Sequence, residues 1–182
     1  MKRVLVPLAN GFEEIEAVTI IDILRRAGAE VMTAGLDKRN VEGSHGIRLL
    51  ADTVLAETIK DSWDMVVLPG GVPGAPNLMG DERVIKLLQE QAAQNKTSAA
   101  ICAAPAVLEK AGLTAGQKVT SHPAWAHKMT TAIHTGNRIQ VANQLVTGQA
   151  AGSAMEFAFQ LVEFLFGKEK VEEVNAGVLA NI

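Results

Sequence analysis

The chain carries one cysteine, Cys102, within the short apolar run Ala99-Ala100-Ile101-Cys102-Ala103-Ala104-Pro105. Such a run reads as a buried strand, and Pro105 suits the first turn of a helix, where its missing N–H is no loss. The thiol therefore falls at a strand-to-helix turn. The small residues Ala100 and Ala104 permit the tight approach seen in nucleophile elbows. Amide donors and partial positive charge at a helix start favour a thiolate there. Without partners the same residue would be an inert buried cysteine, so the reading depends on what else reaches that turn.

Glu16 is the first such partner. At about 100° per residue along residues 13–27, the apolar stripe collects Ala17, Ile20, Ile23, Leu24 and Ala27, and Glu16 falls between Ile23 and Ala27. Asp22, Arg25 and Arg26 take the opposite side. A carboxyl group on the core face must be paired or protonated. Helical side chains lean toward the N-terminus, which aims Glu16 at the strand ends where Cys102 sits. The expected pair is an ionised sulfur beside an uncharged acid that donates a hydrogen bond and moves a proton. The alternative is a first-turn glutamate on a helix that starts later. Glu13 and Glu14 are read as first-turn acids, favoured by the helix dipole.

Leu68-Pro69-Gly70-Gly71-Val72-Pro73-Gly74 ends another apolar run in a glycine-rich loop. Its backbone N–H groups could face a developing oxyanion, with Gly71 and Ala103 the obvious pair; a plain tight bend is the alternative. The glycine spacing fits neither a dinucleotide turn nor a phosphate loop. Of the histidines, His122 follows residues 118–121 and could reach the same edge. His45, His122, His127 and His134 together show no metal-ligand spacing, and no metal or cofactor is expected.

The elements that must position these groups alternate short apolar runs with helical periods. That is the pattern of an α/β fold with a mainly parallel sheet. Strands are expected at 4–8, 30–34, 65–68, 98–101 and 118–121, with a hairpin of 138–141 and 145–147 around Asn143-Gln144. Helices are expected at 13–27, stopped by Gly28, and at 81–94, from 105, at 152–166 and at 168–179. In open α/β sheets ligands gather at the carboxyl ends of the strands, where segments 10–16, 69–74 and 102–105 arrive.

Composition bounds the function. At 182 residues, 48% apolar and 20% charged, the chain fits one domain spanning 1–182, long enough to bury roughly 70% of its unfolded surface. Lys+Arg 17 against Asp+Glu 20, for a net charge of −3, offers no nucleic-acid footprint and no polybasic membrane patch. A single cysteine excludes an internal disulfide framework and a multi-cysteine metal site, and it fits a reducing cytosol. The apolar start at 4–9 is too short for a signal core. Residues 99–108, the longest apolar stretch, fall far below the roughly 20 residues of a membrane span. A soluble cytoplasmic protein is expected.

Glu16, Gly70-Gly71 and Cys102 together make the chain resemble the ThiJ/PfpI superfamily. It is most similar to the branch of ThiJ and the Parkinson-disease protein, the glyoxalase III or protein deglycase group. The matching stretches are Gly11-Phe12-Glu13-Glu14-Ile15-Glu16-Ala17-Val18, Arg25-Arg26-Ala27-Gly28, Val66-Val67-Leu68-Pro69-Gly70-Gly71, the segment around Cys102, Thr120-Ser121-His122-Pro123 and Met155-Glu156-Phe157-Ala158. The resemblance implies a flavodoxin-like three-layer sandwich, as in class I glutamine amidotransferases. It also implies a homodimer in which Arg26 reaches the partner subunit's site. The implied catalytic residues are Cys102, Glu16 and His122, with Gly70, Gly71 and Ala103 as backbone donors around the sulfur. The implied reaction is addition of the cysteine to the aldehyde of methylglyoxal or glyoxal, a proton shuttle by the glutamate, and release of a hydroxy acid such as lactate without a cofactor. The chain departs from the pattern at His45 and Gln149, where relatives carry arginine; both changes remove a cation near the site mouth. PfpI-type peptidases carry histidine directly after the nucleophile, and Ala103 stands there instead.

Two classes of function follow. One is an enzyme acting on 2-oxoaldehydes, or removing their adducts from Cys, Lys and Arg side chains, with Cys102 as nucleophile, Glu16 as general acid/base and His122 as accessory. The other is a redox-sensing stress protein or chaperone whose cysteine oxidises to a sulfinate held by the neighbouring acid.

Overall fold

A computed structural model describes all 182 residues. Strand β1 (Arg3–Leu8) sends Val4, Val6 and Leu8 into one apolar layer and Leu5 into another. Burial on both faces makes its sequence a continuous apolar run, as expected of a covered parallel strand. The other strands are β2 (Glu30–Gly35), β3 (Asn40–Glu42), β4 (Arg48–Leu50), β5 (Thr53–Val54), β6 (Met65–Leu68), β7 (Thr97–Ile101), β8 (Lys118–Val119), β9 (Ile133–His134), β10 (Ile139–Ala142) and β11 (Leu145–Gly148). Seven form the central sheet in the order β10-β11-β7-β6-β1-β2-β5, parallel except for the β10–β11 hairpin. The register Val4↔Met65 and Leu5↔Val66 sets β1 beside β6, and Val67↔Ala99 sets β6 beside β7. The carboxyl ends of β1, β6 and β7 are therefore neighbours.

The helices are α1 (Glu14–Arg26), α2 (Leu55–Thr58), α3 (Gly74–Gly80), α4 (Glu82–Ala93), α5 (Pro105–Lys110), α6 (Ala154–Phe166) and α7 (Lys168–Val178). Helices α1, α6 and α7 cover one face of the sheet through Ala17, Ile20, Phe157, Leu161 and Val174. Helices α3, α4 and α5 cover the other through Leu78, Val84, Leu88 and Val107. Ala17, Ile20, Ile23 and Leu24 form the buried stripe of α1. That helix stops where Gly28 takes the left-handed φ of 86°. Asp81 caps α4 by accepting the Arg83 N–H at 2.9 Å.

The expected strand at 118–121 is corrected. Only Lys118–Val119 is extended, and it pairs with Ile133–His134 in a separate two-stranded ladder. Thr120 leaves that ladder because its N–H is taken by the Thr147 hydroxyl at 2.9 Å. The β3–β4 hairpin, β5, α2 and α3 lie where no element was expected. No helix is long and apolar enough to cross a membrane.

Candidate active site

Cys102 directly follows β7 and holds a φ of 65°, in the left-handed region that a side chain disfavours. The fold pins that turn at both ends. The Cys102 N–H donates to Gly148 O at 3.0 Å, and the Cys102 carbonyl accepts from the His122 N–H at 2.8 Å. A strained non-glycine turn costs about 1–3 kcal/mol and persists only where its surroundings fix it. Its effect is to lift the sulfur out of the strand, half-buried above the start of α5, while Ala103 and Ala104 behind it stay buried.

Glu16 is fully buried on α1. Its Oε2 accepts the Gly70 N–H at 2.7 Å. Its Oε1 is enclosed without a hydrogen bond of ordinary geometry. The carboxyl group and the thiol are nonetheless close enough for each to perturb the other's proton. A Cβ placed on Gly70 would lie 2.8 Å from Cys102 Cβ and 2.8 Å from Glu16 Oε2. Gly70 is thus the residue between the two side chains, and its lack of a side chain is what lets them meet.

Burial pushes the Glu16 carboxyl up to about 7, against the opposing pull of the Gly70 N–H. Burial and then the Glu16 charge push the Cys102 thiol up to about 12, against N–H donors from Ala103 and Gly71. Two such neighbours titrate as a unit. The first proton leaves the pair near neutrality and the second only under strongly alkaline conditions. The helix start does not act alone on the sulfur: burial and the Glu16 charge oppose its ionisation, while the Ala103 and Gly71 N–H groups favour it. An ionised sulfur is accessible only while Glu16 holds the remaining proton. Protonated Glu16 no longer repels the sulfur, and its unpartnered oxygen can then donate to it.

Of the expected backbone donors, the N–H groups of Gly71 and Ala103 lie near enough to the sulfur to favour its ionised form. Gly70 is corrected: its N–H is committed to Glu16 and is not free for an oxyanion. His122 meets Cys102 through its backbone. Its ring Nδ1 accepts the Ala124 N–H at 3.2 Å, and the ring bonds neither Cys102 nor Glu16. Arg26 lies ten residues along α1 from Glu16, about 15 Å at 1.5 Å per residue. It pairs with Asp22 at 2.7 Å and does not join this chain's cluster. Gln149 donates to Gly136 O at 2.9 Å. The one cation along that stretch, Arg138, is held by Glu156 at 2.7 Å.

Glu14 differs from a solvated first-turn acid. It is buried, accepts the His45 N–H at 2.7 Å and the Ile47 N–H at 3.3 Å, and touches the His45 ring at 3.0 Å. Those hydrogen bonds outweigh its burial and hold the carboxyl down at about 2, while the carboxylate raises the His45 imidazole above its ordinary value. The helical wheel gave no signal for this, because the groups that cover Glu14 come from the β3–β4 hairpin. A polar cleft of about 750 Å³ opens beside the ends of β1 and β2, lined in part by Asn10, Asn40 and Asn77, and contains none of Glu16, Cys102 or His122.

Residues 2–164 match the DJ-1/PfpI family. Protein DJ-1 homolog B of Arabidopsis thaliana is 42% identical over 179 residues, covering 97% of this chain and 41% of that protein. The chain thus spans about two fifths of that relative's length. The glutathione-independent glyoxalase DJR-1.2 of Caenorhabditis elegans is 32% identical over 164 residues, covering 89% of this chain and 87% of that protein. The structure of oxidized Toxoplasma gondii DJ-1 superposes with a TM-score of 0.96 at 38% identity, covering 100% of both chains.

Proposed function

The chain belongs to the DJ-1/PfpI family, and on that premise we propose that it is a cysteine enzyme converting small 2-oxoaldehydes to 2-hydroxy acids, methylglyoxal to lactate in the simplest case. The observation that carries this reading is the buried Glu16 carboxyl, raised to about 7, set against a cysteine on a strained turn. A group that titrates near the working pH is suited both to take and to return a proton.

In the proposed sequence the Cys102 thiol gives its proton to the Glu16 carboxylate as the sulfur bonds to the aldehyde carbon. The N–H groups of Gly71 and Ala103 hold negative charge on the sulfur while it forms. Glu16 passes that proton on to the oxygen of the new hemithioacetal and is a carboxylate again. It then takes the hydrogen of the former aldehyde carbon as a proton and returns it to the neighbouring ketone carbon, while the hemithioacetal hydroxyl proton passes to the former ketone oxygen. Water finally cleaves the resulting thioester, freeing lactate and the thiol. One carbon is oxidised and its neighbour reduced by the same two electrons, so no external electron acceptor enters the balance. His122 presents its second ring nitrogen, which has no partner in the fold, as the accessory acid for a substrate oxygen. The name of the nematode relative supports the same reaction class.

The homodimer belongs to this proposal. Ile15 and Val18 on α1 are 59% and 46% exposed, and Ile47, Leu50 and Met155 add further uncovered apolar surface. Val18, Arg26 and Met155 line one groove, which places Arg26 on the same face. Val18 also shares a second groove with Leu50, and apolar exposure joined in this way supports an interface on this face.

The deciding experiment is lactate production from methylglyoxal by the purified protein and by Cys102→Ser and Glu16→Gln. Both substitutions should abolish turnover while the far-ultraviolet spectrum stays unchanged. Turnover at the wild-type rate in either variant would overturn the assignment.

A further inference from the structure

At the start of α1, on the side facing the β3–β4 hairpin, four donor atoms from a separate set of residues converge. His45 Nδ1 lies 3.0 Å from Glu14 Oε2 and 3.6 Å from Glu13 Oε2. Ser44 Oγ lies 3.0 Å from His45 Nδ1, 3.2 Å from Glu14 Oε2 and 3.4 Å from Glu13 Oε2. The carboxylate and imidazole donors all fall within 4.8 Å of one another. A tetrahedral zinc ion takes nitrogen and oxygen ligands at roughly 2.0–2.2 Å, which places neighbouring ligands about 3.3–3.6 Å apart. The observed separations bracket that spacing, so small side-chain adjustments close the shell.

We propose that Glu13, Glu14 and His45 bind a divalent first-row cation of the zinc type, with Ser44 Oγ or a water at the fourth corner. The donor set suits the charge. Two carboxylates and a neutral imidazole compensate a doubly charged ion, and the hard oxygens with one imidazole suit zinc better than a thiophilic ion. Glu14 is already oriented by the His45 and Ile47 backbone N–H groups, the kind of supporting contact that fixes a metal-ligating carboxylate. Access is open, because the His45 side chain is 70% exposed while Glu14 is 6% exposed. The feature that makes the site is the imidazole itself: a guanidinium at position 45 would keep its charge and could only form an ion pair. On binding, the metal replaces the proton through which His45 Nδ1 now donates to Glu14; a neutral ring shifts that proton to Nε2, and an imidazolium releases it.

Calorimetric titration with zinc chloride at about pH 7.5 tests this, above the ordinary imidazole range. The Cys102→Ala background removes the thiol, a competing soft ligand. One zinc per chain should bind in both wild type and Cys102→Ala. His45→Arg and Glu13→Gln should each weaken binding by about tenfold or more, as loss of a direct ligand must exceed the 10–100-fold cost of disturbing its support. Cobalt in the Cys102→Ala protein should give a tetrahedral visible spectrum that His45→Arg abolishes. The melting curves of the metal-free variants, matching wild type, show that the fold survives. Absence of binding, binding unchanged in His45→Arg and Glu13→Gln, or binding lost in Cys102→Ala alone would each overturn the proposal.

Discussion

Replacing Glu16 by glutamine should stabilise the protein, and by an amount that depends on pH. Glutamine keeps the shape of the side chain, still accepts the Gly70 N–H and cannot ionise. In the wild type the carboxyl titrates at an ordinary 4.5 when unfolded and at about 7 when folded. The folded state therefore holds a proton that the unfolded state releases between those values, and stability falls as pH rises through that window. Above about 7 the penalty is constant, since the Cys102 thiol is protonated in both states until the alkaline range. At 1.36 kcal/mol per pH unit the full effect is about 3 kcal/mol at pH 8, about 2 kcal/mol at pH 6 and less than about 0.5 kcal/mol at pH 4.5. For a chain of this size that corresponds to a melting temperature higher by roughly 6–12 °C at pH 8. The assay is thermal unfolding of both proteins from pH 4.5 to 8 at one fixed protein concentration, because an oligomer melts in a concentration-dependent way. A difference that stays constant across the range, or a glutamine variant that is less stable at pH 8, would refute the claim that burial raises this carboxyl.

Three other outcomes follow from the same geometry. With methylglyoxal, kcat/KM should rise with pH through a midpoint of about 7, as Glu16 loses the proton it must be free to accept, and a profile flat through neutrality would count against its role. Gly70→Ala should cost roughly 1–3 kcal/mol by overpacking and depress turnover sharply, because the new methyl would meet both Cys102 and Glu16 at 2.8 Å; wild-type stability and activity would show that the two side chains are not wedged together there. If the proposed homodimer forms through α1, Val18→Asp should shift the protein toward monomer in sedimentation equilibrium without a change in secondary structure, and an unaltered mass would refute that interface.

Much of the site was legible because it depends on local periodicity. The α1 stripe identified Glu16 as the carboxyl on the wrong side of a helix, and an apolar run ending at Cys102 before Pro105 marked a strand-to-turn junction. The three segments expected at one sheet edge do arrive there, since β1, β6 and β7 are adjacent. What the sequence concealed is set by contacts between distant segments. Gly70 was placed in the donor loop, but its proximity to Glu16, 54 residues away, decides where its N–H goes. The proton count of the Cys102–Glu16 pair depends on how deeply both are enclosed, which no spacing encodes. The β3 and β4 strands are three residues each, too short to show an alternation, so the hairpin that buries Glu14 left no trace. At Thr120 a side chain from another strand ended an extended run that propensity alone would have continued.

The placement of Cys102 and Gly70 at the ends of β7 and β6 has a kinetic corollary. Both strands lie in the interior of the sheet, paired on either side, and neither is an edge that can fray on its own. Amides along residues 66–68 and 99–101 should therefore exchange with deuterium only through global opening. The reactive centre would then be lost in a single cooperative event with the whole domain, and heat inactivation would track the main melting transition with no earlier phase of its own.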